Sequence, residues 1–169
     1  SIGFGPAIGV AVGSQPWDLA IGDLDKDNRP DVVVGNDGGT TASMLHNVST
    51  IGTISFTTSA ISLTGLSTPR GVVIGDFDSD GNPDVAIANG GASIVSFFLN
   101  TFSTTGTISF PTTASLTFTT GTNPYGLSIG DVDGDGKIDL AAANYGANTL
   151  AALRNTSTIG SLSFTSRVT

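Results

Sequence analysis

Short apolar runs alternate along this chain with breaks rich in Gly, Asn, Asp and Pro, and no segment carries a helical period. Leu19 to Gly22 and Val72 to Gly75 lead into polar breaks, and Asp31 to Val34 and Asp84 to Ala88 follow them. Both kinds of run are rich in β-branched residues and bounded by turn formers, which predicts strands. A Gly-containing turn comes next in every copy, at Asn36 to Gly39, Asn89 to Ala92 and Asn144 to Ala147. It leads to a third run: Ser43 to Asn47, Ile94 to Asn100 or Leu150 to Asn155. After a turn rich in Ser, Thr and Gly, a fourth run reads Ile54 to Thr64 or Ile108 to Phe118. Four antiparallel strands per unit of this size predict a propeller blade and an all-β fold.

The unit repeats. Pro16, Pro69 and Pro124 stand ahead of the polar breaks and Asn36, Asn89 and Asn144 behind them, each set spaced by 53 and then 55 residues. A period of that size belongs to propeller blades rather than to helical solenoids. The 169 residues read as one repeat domain. Its units fall near 1–53, 54–107 and 108–161, and 162–169 open a fourth-strand motif that is left incomplete.

Each polar break is an aspartate ladder. The ladders are Asp23, Asp25, Asp27 and Asp31; Asp76, Asp78, Asp80 and Asp84; and Asp131, Asp133, Asp135 and Asp139. Carboxylates at the first, third and fifth positions of a tight loop converge on one point. A carbonyl at the seventh can join them, and an Asp at the ninth closes the shell, as hard-cation chemistry requires. The sixth position must turn sharply and holds Asn28, Gly81 or Gly136, residue types that tolerate positive φ. A bare acidic turn is the simpler alternative, but four carboxylates in nine residues repel one another unless a cation joins them. Three calcium ions per chain are expected, each with roughly six or seven oxygens at about 2.3–2.6 Å.

All 14 acidic residues are Asp, and only Asp18 and Asp37 lie outside the ladders. Three divalent ions carry a charge of +6 and bring the formal −8 to −2, so the low pI of about 4.1 speaks of metal rather than of a basic partner. Six scattered Lys and Arg disfavour nucleic acid. Without Cys there is neither a disulfide framework nor a thiol nucleophile. No apolar run is long enough for a membrane span. The free calcium that weak extracellular-type sites need points to an extracellular or cell-surface location.

The string from Gly71 to Asn89, with ladder, preceding apolar strand and trailing Asn-Gly turn in order, resembles the FG-GAP/VCBS repeat, the calcium-bearing blade of integrin α-subunit propellers. The resemblance covers all three units. It implies metal ligation by the twelve ladder aspartates and by main-chain oxygens of Arg29, Asn82 and Lys137. Asn28 stands where the family usually has Gly. An EF-hand or dockerin would need flanking helices and a Glu at position twelve, where this chain has Val34, Ile87 and Ala142.

Three four-stranded blades do not close a ring, since propellers take roughly four to eight. Phe4, Phe56, Phe110 and Phe164 mark four fourth-strand motifs against three ladders. The expectation is an orphan strand at Ser1 to Val12 and a blade that stops half-way at Leu162 to Thr169. These are complementary defects through which copies join head to tail by strand complementation, as a ring or a filament. The alternative is a segment of a larger closed propeller that binds an extracellular protein or a carbohydrate.

Enzyme chemistry finds little support, with one His, no Cys and no Glu. His46 shares its slot with Leu99 and Arg154 and reads as an exposed blade residue. Trp17, Arg70 and Tyr125 share the slot after the repeat Pro, where they form either blade-to-blade packing or a ligand patch. Asn47 and Asn155 begin glycosylation sequons. The sequence therefore points to a secreted, non-enzymatic, calcium-stabilised structural or adhesive protein.

Overall fold

A computed structural model describes residues 5–57 and 61–168. Among the described residues twelve strands form three four-stranded antiparallel sheets, with one short 3₁₀ turn at Gly90–Ala92. The first sheet holds β1 (Pro16–Gly22), β2 (Asp31–Asn36), β3 (Ala42–Leu45) and β4 (Ile61–Leu63) in sequence order. The second holds β5 (Pro69–Gly75), β6 (Asp84–Asn89), β7 (Ile94–Phe98) and β8 (Leu116–Thr119). The third holds β9 (Pro124–Gly130), β10 (Asp139–Asn144), β11 (Thr149–Asn155) and β12 (Phe164–Val168). Each sheet is a meander whose first turn is an aspartate ladder. The ladder places the ninth-position Asp opposite the Gly that precedes the loop: Asp31 with Gly22, Asp84 with Gly75 and Asp139 with Gly130.

The sheets stack face to face, and β1, β5 and β9 lie next to one another, as the inner strands of propeller blades do. The approach there is backbone to backbone. A Cβ at Gly71 would sit 2.5 Å from the Tyr125 carbonyl oxygen, so this inner-strand position admits no side chain. Two apolar clusters fill the gaps between blades. Leu24, Val33, Met44 and Ala42 of the first blade meet Val72, Val85, Ile87 and Phe98 of the second. Phe77, Ala86, Val95 and Phe97 of the second meet Leu140, Ala142, Leu153 and Phe164 of the third. Phe97 stacks on Phe164 with ring centres 4.7 Å apart and meets Phe77 edge to face at 5.3 Å. The middle blade is covered on both faces, so β6 is buried at every position. In the third blade β11 alternates between buried and exposed, because only one of its faces has a neighbour.

The fourth strands depart from the sequence expectation. The structure starts β4 at Ile61 and β8 at Leu116, well inside the runs expected to begin at Ile54 and Ile108. Phe56 forms only an isolated bridge with Asn47, and Pro111 has no N–H to give to a ladder in the second blade. In the third blade the ladder runs without a break from Asn155 opposite Phe164 to Ala151 opposite Val168. The third sheet therefore has its four strands and is not a blade that stops half-way. Residues 5–12 form no strand; Ser1 to Phe4, the rest of the expected orphan strand, lie outside the described residues. Among the described residues no helix is long and apolar enough to cross a membrane.

Candidate metal centres

The ladders fold through local hydrogen bonds that recur blade by blade. The first Asp accepts from the N–H groups of the fifth and sixth residues: Asp23 from Asp27 (3.1 Å) and Asn28 (3.0 Å), Asp76 from Asp80 and Gly81, Asp131 from Asp135 and Gly136. The sixth position has the expected positive φ, at 66° for Asn28, 87° for Gly81 and 86° for Gly136. The fourth position is left-handed as well, at Lys26, Ser79 and Gly134, which the sequence reading missed. This turn brings ligand oxygens of the first, third and ninth positions within 4.8 Å of one another in every blade: Asp23, Asp25 and Asp31; Asp76, Asp78 and Asp84; Asp131, Asp133 and Asp139.

The fifth and seventh positions are arranged differently. Asp27, Asp80 and Asp135 stand outside those trios and accept from the N–H of Arg29 (2.8 Å), Asn82 (2.7 Å) and Lys137 (3.0 Å). Side chains at the seventh position reach outward. The Arg29 guanidinium pairs with Asp27 and donates to the Asn47 carbonyl, and the Lys137 ammonium donates to the Ser157 carbonyl at 2.7 Å. At Asn82 the side-chain amide stays within the loop, on Asp80.

The ninth Asp is a clamp. Both oxygens of Asp84 are engaged, one by the Phe77 N–H (3.0 Å) and one by the Asn100 N–H (2.8 Å), so a buried carboxylate ties the loop to the end of the third strand. Asp31 and Asp139 do the same with Leu24 and Asn47, and with Val132 and Asn155. Burial pushes the Asp84 carboxyl from its ordinary value of 3.8 up to about 7, against the opposing effect of its two N–H donors. Burial also raises Asp25, Asp31 and Asp78, with neighbouring ladder carboxylates adding to all three.

Because the folded-state value of Asp84 lies above the unfolded one, its contribution to metal-free stability is largest below about pH 4. That contribution is lost as pH rises toward 7. Cation binding needs the ionised form and so strengthens over the same interval. Chelated protein should therefore melt at a lower temperature at pH 7.5 than at pH 5, and added calcium should raise the melting temperature more at pH 7.5. Thermal unfolding at the two pH values, with chelator and with calcium, checks both signs.

The three centres are not equivalent. At the end of the third strand, the residue before the repeat Asn is His46, Leu99 or Arg154, and the fold brings the first and last of these against their ladders. Arg154 pairs with Asp133 and with Asp135 (2.9 Å), and its guanidinium holds the exposed Asp133 carboxyl below the usual carboxylate range. His46 Nε2 lies 2.9 Å from Asp25 Oδ2 and 3.6 Å from Asp27 Oδ2. The sequence reading had placed His46 as an exposed blade residue. Its signal was the alignment with Arg154, a second polar residue in the same column.

The loops also join the blades. The side-chain amide of Asn100 donates to the Leu24 carbonyl (2.8 Å) and that of Asn155 to the Phe77 carbonyl (2.8 Å), each reaching from one blade to the ladder of the blade before. The same amides donate to Pro83 and Ile138 within their own blades. Two turn glycines repeat the pattern: the Gly106 N–H meets the Asp25 carbonyl and the Gly160 N–H the Asp78 carbonyl.

A family model for the FG-GAP-like repeat matches residues 23–87 and 76–142, each span running from one ladder past the next. The chain belongs to the FG-GAP-like repeat family. No curated protein matches it significantly. The FG-GAP assignment agrees with the three blade-like sheets and with a ladder in the first turn of each.

Away from the FG-GAP ladders, the fold gathers Trp17, Arg70 and Tyr125 from three blades. The Arg70 guanidinium lies over the Tyr125 ring at 3.8 Å and over Trp17 at 5.7 Å, and the two rings meet edge to face at 5.9 Å. Arg70 also pairs with Asp37 (2.8 Å) and donates to Asn123 (2.6 Å). Tyr145, which the sequence reading did not single out, stacks on Tyr125 at 4.6 Å. The slot packs blade against blade and still presents aromatic surface, with Trp17 58% and Tyr145 67% exposed. At the sequons, Asn155 is buried with its amide engaged between blades, and Asn47 donates to the Pro30 carbonyl at 2.7 Å.

Proposed function

We propose that this FG-GAP protein is an extracellular, non-enzymatic building block whose blades are held rigid by calcium and whose copies join head to tail. The ladder carboxylates, with main-chain oxygens of Arg29, Asn82 and Lys137, would hold the ions. Buried Asp25 Oδ2, which has no hydrogen-bond partner, fits an atom waiting for a cation. Bound calcium supplies charge compensation for carboxylates that burial and mutual repulsion otherwise penalise. The same loops offer the carbonyls of Leu24, Asp25, Phe77 and Asp78 to the following blade, so ordering a loop also orders a blade-to-blade contact.

The observation that carries the association is that each end of the stack repeats the residues of an internal interface. Val132, Leu150 and Ala152 stand where Phe77, Val95 and Phe97 cover the third blade and Leu24, Ala42 and Met44 cover the second. Val132 is 76% exposed and Leu150 54%. At the opposite end Leu19 and Ile21, also exposed, stand where Val72, Ile74, Leu127 and Ile129 pack inward. Asn47 and Gly52 repeat the donors Asn100 and Gly106, and the carbonyls of Val132 and Asp133 repeat the acceptors. A second copy would continue the stack, giving six blades in a ring of two if the rotation closes and a filament if it does not.

Mass measurement across a wide concentration range, in calcium and in chelator, tests this. Calcium-dependent dimers or polymers are expected, and a monomer at high concentration in calcium overturns the reading. Removing residues 1–12 separates two routes. Association through the blade faces survives the deletion, whereas strand complementation by that segment does not.

The aromatic cluster supports the second reading, a ligand-binding propeller segment. Exposed rings beside Asp37 and Asn123 suit the flat apolar face and the hydroxyls of a sugar. A glycan array in calcium, repeated with Trp17→Ala, tests it.

A further inference from the structure

We propose that the first ladder is a mixed nitrogen and oxygen centre that selects a first-row transition dication of the zinc class over calcium, through Asp25, Asp27 and His46. This deepens the metal reading above and rests on it. Asp25 is completely buried, and neither its Oδ2 nor His46 Nε2 has a hydrogen-bond partner, although the two atoms are 2.9 Å apart. A fully buried carboxylate oxygen 2.9 Å from an imidazole nitrogen, with no hydrogen bond between them, leaves a lone pair on each atom available to a cation when the ring proton is on Nδ1. Asp27, whose Oδ2 also pairs with the Arg29 guanidinium, contributes a third donor 3.6 Å from the same nitrogen, and the three ligand atoms lie within 4.8 Å of one another.

The chemistry of the set decides the ion. Calcium takes oxygen ligands and gains little from imidazole, whereas imidazole is a strong ligand for zinc, cobalt and nickel. His46 is the chain's one histidine, so no other ladder has a nitrogen donor of this kind. In the second blade its place is taken by Leu99, which leaves an all-oxygen set, and in the third by Arg154, a cation that offers no lone pair and pairs with Asp133 and Asp135. The ladder shares Asp25 between the trio with Asp23 and Asp31 and the trio with Asp27 and His46, so an ion in one trio competes with an ion in the other for that carboxylate.

The test uses tag-free full-length protein dialysed against excess calcium with a low concentration of zinc chloride, followed by metal analysis of the protein. Zinc is expected at one per chain with calcium falling by one, together with a shift of the single imidazole's nitrogen resonances. His46→Leu, which copies the residue native to the second blade, should weaken that zinc by about tenfold or more and restore the lost calcium. Zinc uptake unchanged in His46→Leu, or calcium filling the ladders of the intact chain with no zinc taken up, overturns the inference and leaves the calcium reading standing. Protein that takes up neither ion overturns both.

Discussion

Asp84→Ala should unfold far more readily than Asp80→Ala even when calcium is chelated. Both are ladder aspartates, and as ligands alone they would be matched. The structure separates them, because Asp84 accepts from the Phe77 and Asn100 N–H groups in a buried setting, whereas Asp80 accepts from Asn82 on the exposed side of the loop. Two buried donors left without an acceptor cost about 2–6 kcal/mol together. Relief from burying the carboxyl, whose titration is pushed up to about 7, offsets part of this. A net loss of about 2–4 kcal/mol is expected, or roughly 5–15 °C in melting temperature for a chain of this size. Asp80→Ala should cost about 1 kcal/mol or less in chelator and show its main effect only when calcium is added. Equal melting temperatures for the two variants in chelator would mean that the ninth position acts through the ion alone.

The second large effect concerns association. Leu19→Arg and Leu150→Arg each place an unpaired charge at the centre of one end face, at side chains exposed in the single chain, so folding should be spared. Each variant alone should be monomeric in calcium, with association weakened by on the order of 100-fold or more, because a buried charge without a partner is penalised heavily. Mixed together, they should form a dimer of one copy of each and stop there, since one intact face of either kind remains. That outcome belongs to a heterologous contact. Polymers from either variant alone, or no complex in the mixture, would exclude these faces as the contact.

The ladders were legible in the sequence because their chemistry is local. Nine consecutive residues contain the carboxylates, and the left-handed requirement at the sixth position leaves a trace as Asn28, Gly81 or Gly136. The blade count was legible for a related reason, as a meander of neighbouring strands repeats its punctuation at Pro16, Pro69 and Pro124. Where the fourth strands begin was less so. The Phe56 and Phe110 runs read as strand, yet an isolated bridge and Pro111 interrupt the pairing that Phe164 carries through.

What only the tertiary structure decided depends on residues distant in the chain meeting across a blade boundary. No local pattern distinguishes the ninth Asp as a clamp, because its partners include an N–H 16 residues away. His46 reads as one more polar residue on a strand until the turn of the third strand brings it over Asp25 and Asp27. Asn155 reads as a surface sequon until the preceding sheet's ladder claims its amide from 78 residues away. Trp17, Arg70 and Tyr125 occupy one slot of a repeat, and only the convergence of β1, β5 and β9 turns equal positions into contact. The sequence by itself determined the chemistry of each loop, since its short-range geometry leaves few alternatives. The relations between blades came from packing, in which Gly71 allows backbones to approach and apolar faces choose their partners.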